Sequence, residues 1–231
     1  MAISTSFAIK AVDSSGTVVP VSSYQCVKKD GYGRIIIRGY FESYCGDSNG
    51  KPGGDIDKSF VKSYTNAVNA GFTDIDVYMF PCTGNPPCGK KTCKSPKDQV
   101  DQLTHMINTT KINGDKNIIV RRVWLDVETA KNPGGWPNTA ANRKTLLDFQ
   151  KAWQDTKWNW GIYSNYYEWT KLTGDKNWVL DSSRPLWTAK YDNIIDLTKG
   201  FVPYGGWKKP TGKQYAGTTH LCNQEFDLSI F

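Results

Sequence analysis

Short apolar runs with a period of two alternate along this chain with longer segments whose apolar positions recur every three or four residues. "FAIKAVD" (7–13), "RIIIRGYF" (34–41), "DIDVYMFP" (74–81), "NIIVRRVWLDVE" (117–128), "WGIYSN" (160–165) and "PLWTAKYD" (185–192) read as strands. Two more strands are expected near "GGW" and "GKQYAG". Between them, "SSYQCVKKDGYG" reads as a helix with a glycine stop. "DIDKSFVKSYTNAVNAG" (55–71) carries Asp caps, helical spacing and a terminal Gly. "SPKDQVDQLTHMINTTK" opens with a Ser N-cap and a Pro at the first helical position. "NTAANRKTLLDFQKAWQDT" (138–156) and a short segment around 166–172 complete the helices. Alternating β and α with about eight strands predicts an α/β fold, an irregular (β/α)8-like barrel with fewer helices than strands. An open doubly wound sheet is the alternative. No linker, repeat or low-complexity block divides the chain, so residues 1–231 are expected to form a single domain.

The motif inventory then removes several chemistries. Gly31-x-Gly33 precedes a strand instead of following one, and no Walker A motif is present, so nucleotide binding is not expected. The chain holds only two histidines, His105 in the middle of a helix and His220 in a late loop. A Ser-His-Asp triad or a multi-histidine metal site is hard to build from that. What stands out is "RVWLDVET": Trp124, Asp126 and Glu128 share one face of a strand, with two carboxylates at its end. Acids and aromatics also close other strands: Asp13 the first, Asp76, Tyr78 and Phe80 the third, Tyr163 the fifth, with Trp187 and Tyr191 on or after the sixth. In parallel α/β folds this edge carries the chemistry. A carboxylate pair among aromatics points to glycoside hydrolysis. Residues i and i+2 of a strand lie ~6.6 Å apart, which fits either retaining or inverting geometry once rotamers are allowed for.

Composition refines the setting. The net charge is +7, with lysine and arginine scattered in small clusters, which suits attraction to anionic polymers and predicts salt-sensitive binding to them. Nine Trp and twelve Tyr in a polar chain are compatible with a carbohydrate cleft, although most must serve the core. Six cysteines, at 26, 45, 82, 88, 93 and 222, form an even set. Zinc is disfavoured, since C-x-x-C spacing and a nearby His are missing, so disulfides and an oxidising compartment are expected. Asn108-Thr109-Thr110 is a glycosylation sequon compatible with secretion. No apolar leader precedes "MAISTSFAIKAVD", and the expectation is a secreted chain whose signal peptide has been replaced by an initiator Met.

In order along nearly the whole chain, "AVDSSGTVVPVSSYQCVKKDGY", "IIIRGYFESYCG", "DIDVYMFPC", "VWLDVET", "GIYSNYYEW", "PLWTAKYD", "GGWKKPTGKQY" and "FDLSIF" resemble glycoside hydrolase family 25, the Chalaropsis-type lysozymes, in its eukaryotic branch. The resemblance implies an irregular barrel that cleaves the β-1,4 bond between N-acetylmuramic acid and N-acetylglucosamine in bacterial peptidoglycan. No cofactor, metal, nucleic-acid partner or membrane insertion is expected, and the chain is expected to be a monomer. Carried over by position, Glu128 is the general acid/base and Asp126 its partner, acting on the sugar directly or by orienting the substrate acetamide. Asp13 and Asp227 line the cleft. Tyr78, Tyr163, Trp187 and Gln214 lie near the sugar, and Asp76 is a substrate-binding candidate whose role stays open. The same branch suggests Cys26 and Cys222 as partners, leaving the pairing of Cys45, Cys82, Cys88 and Cys93 open. One departure is Asp13-Ser14-Ser15 where the family has D-V-S. The alternatives are a wall- or chitin-binding lectin on a retired scaffold, or a chitinase. The D-x-x-D-x-D-x-E motif of family 18 chitinases is absent before Glu128.

Overall fold

The computed structural model describes residues 8–43, 53–84, 92–129 and 135–231. Its strands are β1 (Lys10–Ser14), β2 (Tyr32–Phe41), β3 (Asp55–Ile56), β4 (Ile75–Met79), β5 (Lys111–Ile112), β6 (Lys116–Asn117), β7 (Val123–Asp126), β8 (Trp160–Ser164), β9 (Leu186–Ala189), β10 (Gly212–Leu221) and β11 (Gln224–Ile230). Its helices are α1 (Val21–Lys29), α2 (Phe60–Asn69), α3 (Pro96–Thr109), α4 (Thr139–Gln154) and α5 (Tyr166–Thr173). Eight strands close into a barrel in the order β1-β2-β4-β7-β8-β9-β10-β11, with β11 returning to β1. All neighbours are parallel except β11, which runs antiparallel to both β10 and β1. The short β3 adds to the outer edge of β2, and β5 and β6 form a separate hairpin.

The expected alternation of strands and helices is therefore present, with three local corrections. "GGW" is a turn held by a single bridge between Tyr204 and Trp207, and the eighth strand is β11 instead. Strand 117–128 is shorter than its apolar pattern suggests, since ladder pairing covers Val123–Asp126 only. Helix α2 starts at Phe60 rather than at the Asp residues. Asp57 is instead buried, where its carboxylate takes Arg38 Nε at 2.7 Å and the Gly16 N–H at 3.1 Å. His220 lies in β10 beside Glu225, exposed, and His105 lies exposed on α3.

Local chemistry explains the helix boundaries. The Ser95 hydroxyl accepts from the Asp98 N–H with Pro96 at the first position, and the Asn138 side chain accepts from Ala141. Asn165 accepts from both Tyr167 and Glu168, and Gly174 closes α5 in the left-handed region.

The period of two splits the strand residues into two packed layers. One side, including Val12, Ile35, Ile37, Val77, Leu125 and Ile162, packs in one cluster with buried helix residues such as Phe60, Leu103, Phe149 and Trp169. The other fills the barrel: Ala11, Ile36, Trp124, Tyr163 and Trp187, with Tyr78, Ala189 and Phe231 against them. Such bulk needs space. A Cβ on Gly161 would stand 2.6 Å from the Trp124 ring, and one on Gly212 would stand 2.2 Å from Phe231. Among the described residues, two disulfides pin the frame. Cys26–Cys222 ties α1 to the end of the barrel-closing hairpin, as the resemblance implied, and Cys82–Cys93 closes a short loop after β4. Cys45 and Cys88 lie outside the described residues.

Candidate active site

Asp13, Asp126 and Tyr163 stand at or near the C-terminal ends of β1, β7 and β8, Glu128 lies just past β7, and Gln214 of β10 and Asp227 of the antiparallel β11 meet them at the same rim. Gln214 is the hub, buried to 2% exposure. Its carbonyl oxygen accepts from the hydroxyls of Tyr163 (2.7 Å) and Tyr191 (2.9 Å). Its amide donates to both oxygens of Asp13 (3.0 and 3.1 Å) and to Asp227 (3.2 Å). The other Asp227 oxygen accepts the Thr218 N–H at 2.6 Å. One amide thus orients two carboxylates and two phenols.

The pair at the end of β7 sits in a different environment. Asp126 is 4% exposed, and its Oδ1 is shielded from water without a hydrogen-bond partner among the described residues. Burial pushes its pKa well above the usual carboxylate range, and the negative charges of Glu128 and Asp13 push it further against partial relief from Arg38. Asp13 is raised for the same reason, burial first and then Asp227, with the Gln214 hydrogen bond opposing. Asp227 is raised by burial as well. Like charges this close cannot all ionise cheaply, so protons are retained on the cluster into the range where isolated carboxyls have lost theirs. That is the electrostatic setting of acid/base chemistry on two unequal carboxyls.

Glu128 is half-buried and opens onto a cavity of about 550 Å³. Tyr163, Tyr166, Tyr167, Tyr191, Phe201 and Tyr204 supply its aromatic walls. A second depression, about 250 Å³, lies by Asp13, Tyr78 and Asp227. Aromatic walls beside buried acids suit the apolar faces and hydroxyls of a sugar chain.

Comparison with known proteins gives the family of the chain and the relatives of its fold. A family model described as lysozyme-like protein 1 matches residues 4–215. The chain is 34% identical over 212 residues to lysozyme-like protein 5 of Caenorhabditis elegans, covering 91% of this chain and 86% of that protein. It is 33% identical to the Dictyostelium discoideum protein described as probable GH family 25 lysozyme 5, covering 94% and 88%. The chain belongs to glycoside hydrolase family 25. Its fold matches that of the muramidase from Acremonium alcalophilum (TM-score 0.66, 21% identity, 96% and 92% covered). It also matches a family GH25 lysozyme from Aspergillus fumigatus (0.64, 19%, 97% and 93%).

Not every candidate of this family 25 chain reaches the rim. Asp76 is fully buried inside the barrel, where its carboxylate accepts Trp124 Nε1 at 2.9 Å and Arg121 stands 3.8 Å away. Its pKa is raised by burial, and its place is to hold the indole. Trp187 is buried too, edge-on to Tyr163 at 4.5 Å and donating to Ser229, so it forms the floor under the site. Tyr78 stays near the rim, its hydroxyl held protonated by burial. Sequence reasoning passed over Arg38, whose guanidinium brings positive charge to Tyr78 and Asp126. A charge at an inward position of the run "RIIIRGYF" was the available signal. It also passed over Trp136, Ser164 and Glu168, which grip the backbone around Glu128 and left no signal in spacing. Among the described residues, the one grouping with metal-donor chemistry is Cys26, Asp30 and Cys222, whose two sulfurs are bonded to each other.

Proposed function

We propose that this chain is a secreted N-acetylmuramidase that hydrolyses the β-1,4 bond between N-acetylmuramic acid and N-acetylglucosamine in bacterial peptidoglycan. Family membership supports lysozyme activity in general terms. The observation that carries the specific reading is the pairing of half-buried Glu128, at the mouth of the aromatic cavity, with buried Asp126 beside it.

In this reading Glu128 gives its proton to the glycosidic oxygen as the bond to the anomeric carbon breaks, then takes a proton from the incoming water. Asp126, 4% exposed beside Glu128, is assigned in this reading to accept the substrate's acetamide N–H. Such a bond turns the acetamide carbonyl toward the anomeric carbon and stabilises positive charge there. The Gln214 network keeps Asp13 and Asp227 in place along the cleft. The two disulfides support the assignment to an oxidising, extracellular compartment.

Mass spectrometry of peptidoglycan digested by the chain, with Glu128→Gln as control, tests this. Products with N-acetylmuramic acid at the reducing end, lost in the variant, are expected. Reducing N-acetylglucosamine ends would move the assignment to another bond. Wall binding without any released ends would favour the lectin alternative.

A further inference from the structure

Strand β7 leaves its ladder at Asp126, so the next three residues must satisfy their backbone polar groups elsewhere. The Val127 N–H still reaches the Tyr163 carbonyl at 2.8 Å. Beyond that, each of the three is held by one side chain from a different part of the fold. The Ser164 hydroxyl, fully buried at the end of β8, donates to the Val127 carbonyl at 2.7 Å. Trp136 Nε1 donates to the Glu128 carbonyl at 2.8 Å. The Glu168 carboxylate, in the first turn of α5, accepts the Thr129 N–H at 2.8 Å.

Each gripping side chain is itself fixed. The Asn165 cap orders the turn that carries Glu168. Trp136 is 8% exposed, and its own N–H donates to Thr83 Oγ1 at 3.2 Å, next to the Cys82–Cys93 disulfide. Its φ of +53° is a left-handed conformation that a bulky residue adopts only where the surroundings impose it. Tryptophan is therefore placed here against backbone preference, with its indole N–H on the carbonyl of the residue that carries the proton.

We propose that Trp136, Ser164 and Glu168 are positioning residues that together fix the backbone of Glu128. This rests on the reading of Glu128 as the acid/base. A ladder-bound residue would be held by its strand neighbours. Here three independent side chains hold the peptide groups instead, so that the Glu128 side chain projects from a rigid base. A small displacement of a catalytic group is enough to cost an order of magnitude or more in rate.

Steady-state kinetics on soluble peptidoglycan fragments test the proposal. Trp136→Phe keeps an aromatic ring, though a smaller one, and removes the donor, and should lower kcat about 10-fold with KM within about twofold. Ser164→Ala should behave alike. Glu168→Leu should lose a similar factor, whereas Glu168→Gln, whose amide oxygen still accepts from Thr129, should stay near the unmutated rate. Fragment affinity measured on the inactive Glu128→Gln background should not change when Trp136→Phe is added. Unchanged kcat in Trp136→Phe and Ser164→Ala, or a loss confined to KM, overturns the proposal. Because Glu168 is only half-buried, its Gln and Leu variants decide the matter even if Trp136→Phe fails to fold: equal rates for the two refute it. Full activity in Glu128→Gln alone would instead sink the reading of Glu128.

Discussion

Replacing Gln214 by Leu removes the amide that holds the rim together while keeping an apolar side chain of similar size. Two donated hydrogen bonds are lost, one shared over both Asp13 oxygens and one to Asp227. Hydrogen bonds to charged groups contribute ~1.5–3 kcal/mol each. The buried Tyr163 hydroxyl also loses its acceptor, at about 1 kcal/mol, while Tyr191, 60% exposed, can turn to water. Burying leucine returns about 1–2 kcal/mol. The net loss is about 2–6 kcal/mol at neutral pH. Its pH dependence has a definite sign. Gln214 opposes the upward shift of Asp13, so without it the folded-state pKa of Asp13 rises further. A raised carboxyl pKa penalises the folded state above that pKa, and the penalty fades as pH falls through it. Denaturant unfolding of Gln214→Leu and the unmutated chain at pH 7.5 and pH 4 should therefore show the larger deficit at pH 7.5. A deficit below about 1 kcal/mol, or one equal at both pH values, would refute the assignment of Gln214 as the hub.

The chain-entropy account of disulfides predicts an order. Cys26–Cys222 spans 196 residues and Cys82–Cys93 spans 11, giving about 5 and about 3 kcal/mol. The Cys26→Ser/Cys222→Ser double variant should thus be the less stable in urea unfolding, and the reverse order would show that native-state contacts, not loop closure, set the effect. Asp126→Asn should raise the melting temperature at neutral pH, with the gain vanishing as pH falls toward the ordinary carboxylate range, because Asp126 is raised by burial and like charge. The same variant should lose at least 100-fold in activity. A variant no more stable at pH 7 than at pH 4, relative to its parent, would contradict the buried-charge reading.

Much of the barrel was legible because half-buried strands alternate and amphipathic helices repeat with their own period, and the caps at Ser95, Asn138 and Asn165 mark real boundaries. The period of two also predicts that Asp126 shares the inner face with Trp124, as it does, whereas Glu128 lies just past the end of the ladder. What failed did so for physical reasons. Strand direction is not written in a local pattern, so the antiparallel β11 was invisible. An aromatic does not announce what it packs against: Trp207 in "GGW" packs edge-on against Trp169 at 5.1 Å within a turn, and Trp187 fills the barrel instead of meeting the cleft. Asp57 looked like a helix cap and is an anchor for Arg38. The Trp136, Ser164 and Glu168 contacts act on peptide groups, which every residue possesses, so no residue pattern could mark their target.

The electrostatics of the rim depend on packing well away from the acids, and one glycine exposes that link. Trp124 lies beside Gly161 in the ladder, and its indole fills the barrel below Asp126, anchored by Asp76. With Trp187 and Phe231 around it, this layer displaces water from beneath the carboxylates. Dryness of that kind raises the Asp126 pKa. Gly161 has no left-handed φ, so its reason for being glycine is space: a Cβ would stand 2.6 Å from Trp124 Cζ3 and 2.8 Å from the Pro185 carbonyl. Gly161→Ala must therefore shift the indole, costing about 1–3 kcal/mol in overpacking and lowering the melting temperature by several degrees. It should also loosen the layer under Asp126 and bring its pKa down, so that the pH dependence of stability assigned to Asp126 weakens. NMR titration of the Asp126 carboxyl measures this. A destabilised variant with an unshifted Asp126 would show that the carboxyl is dehydrated by its own rim neighbours and not by the aromatic floor.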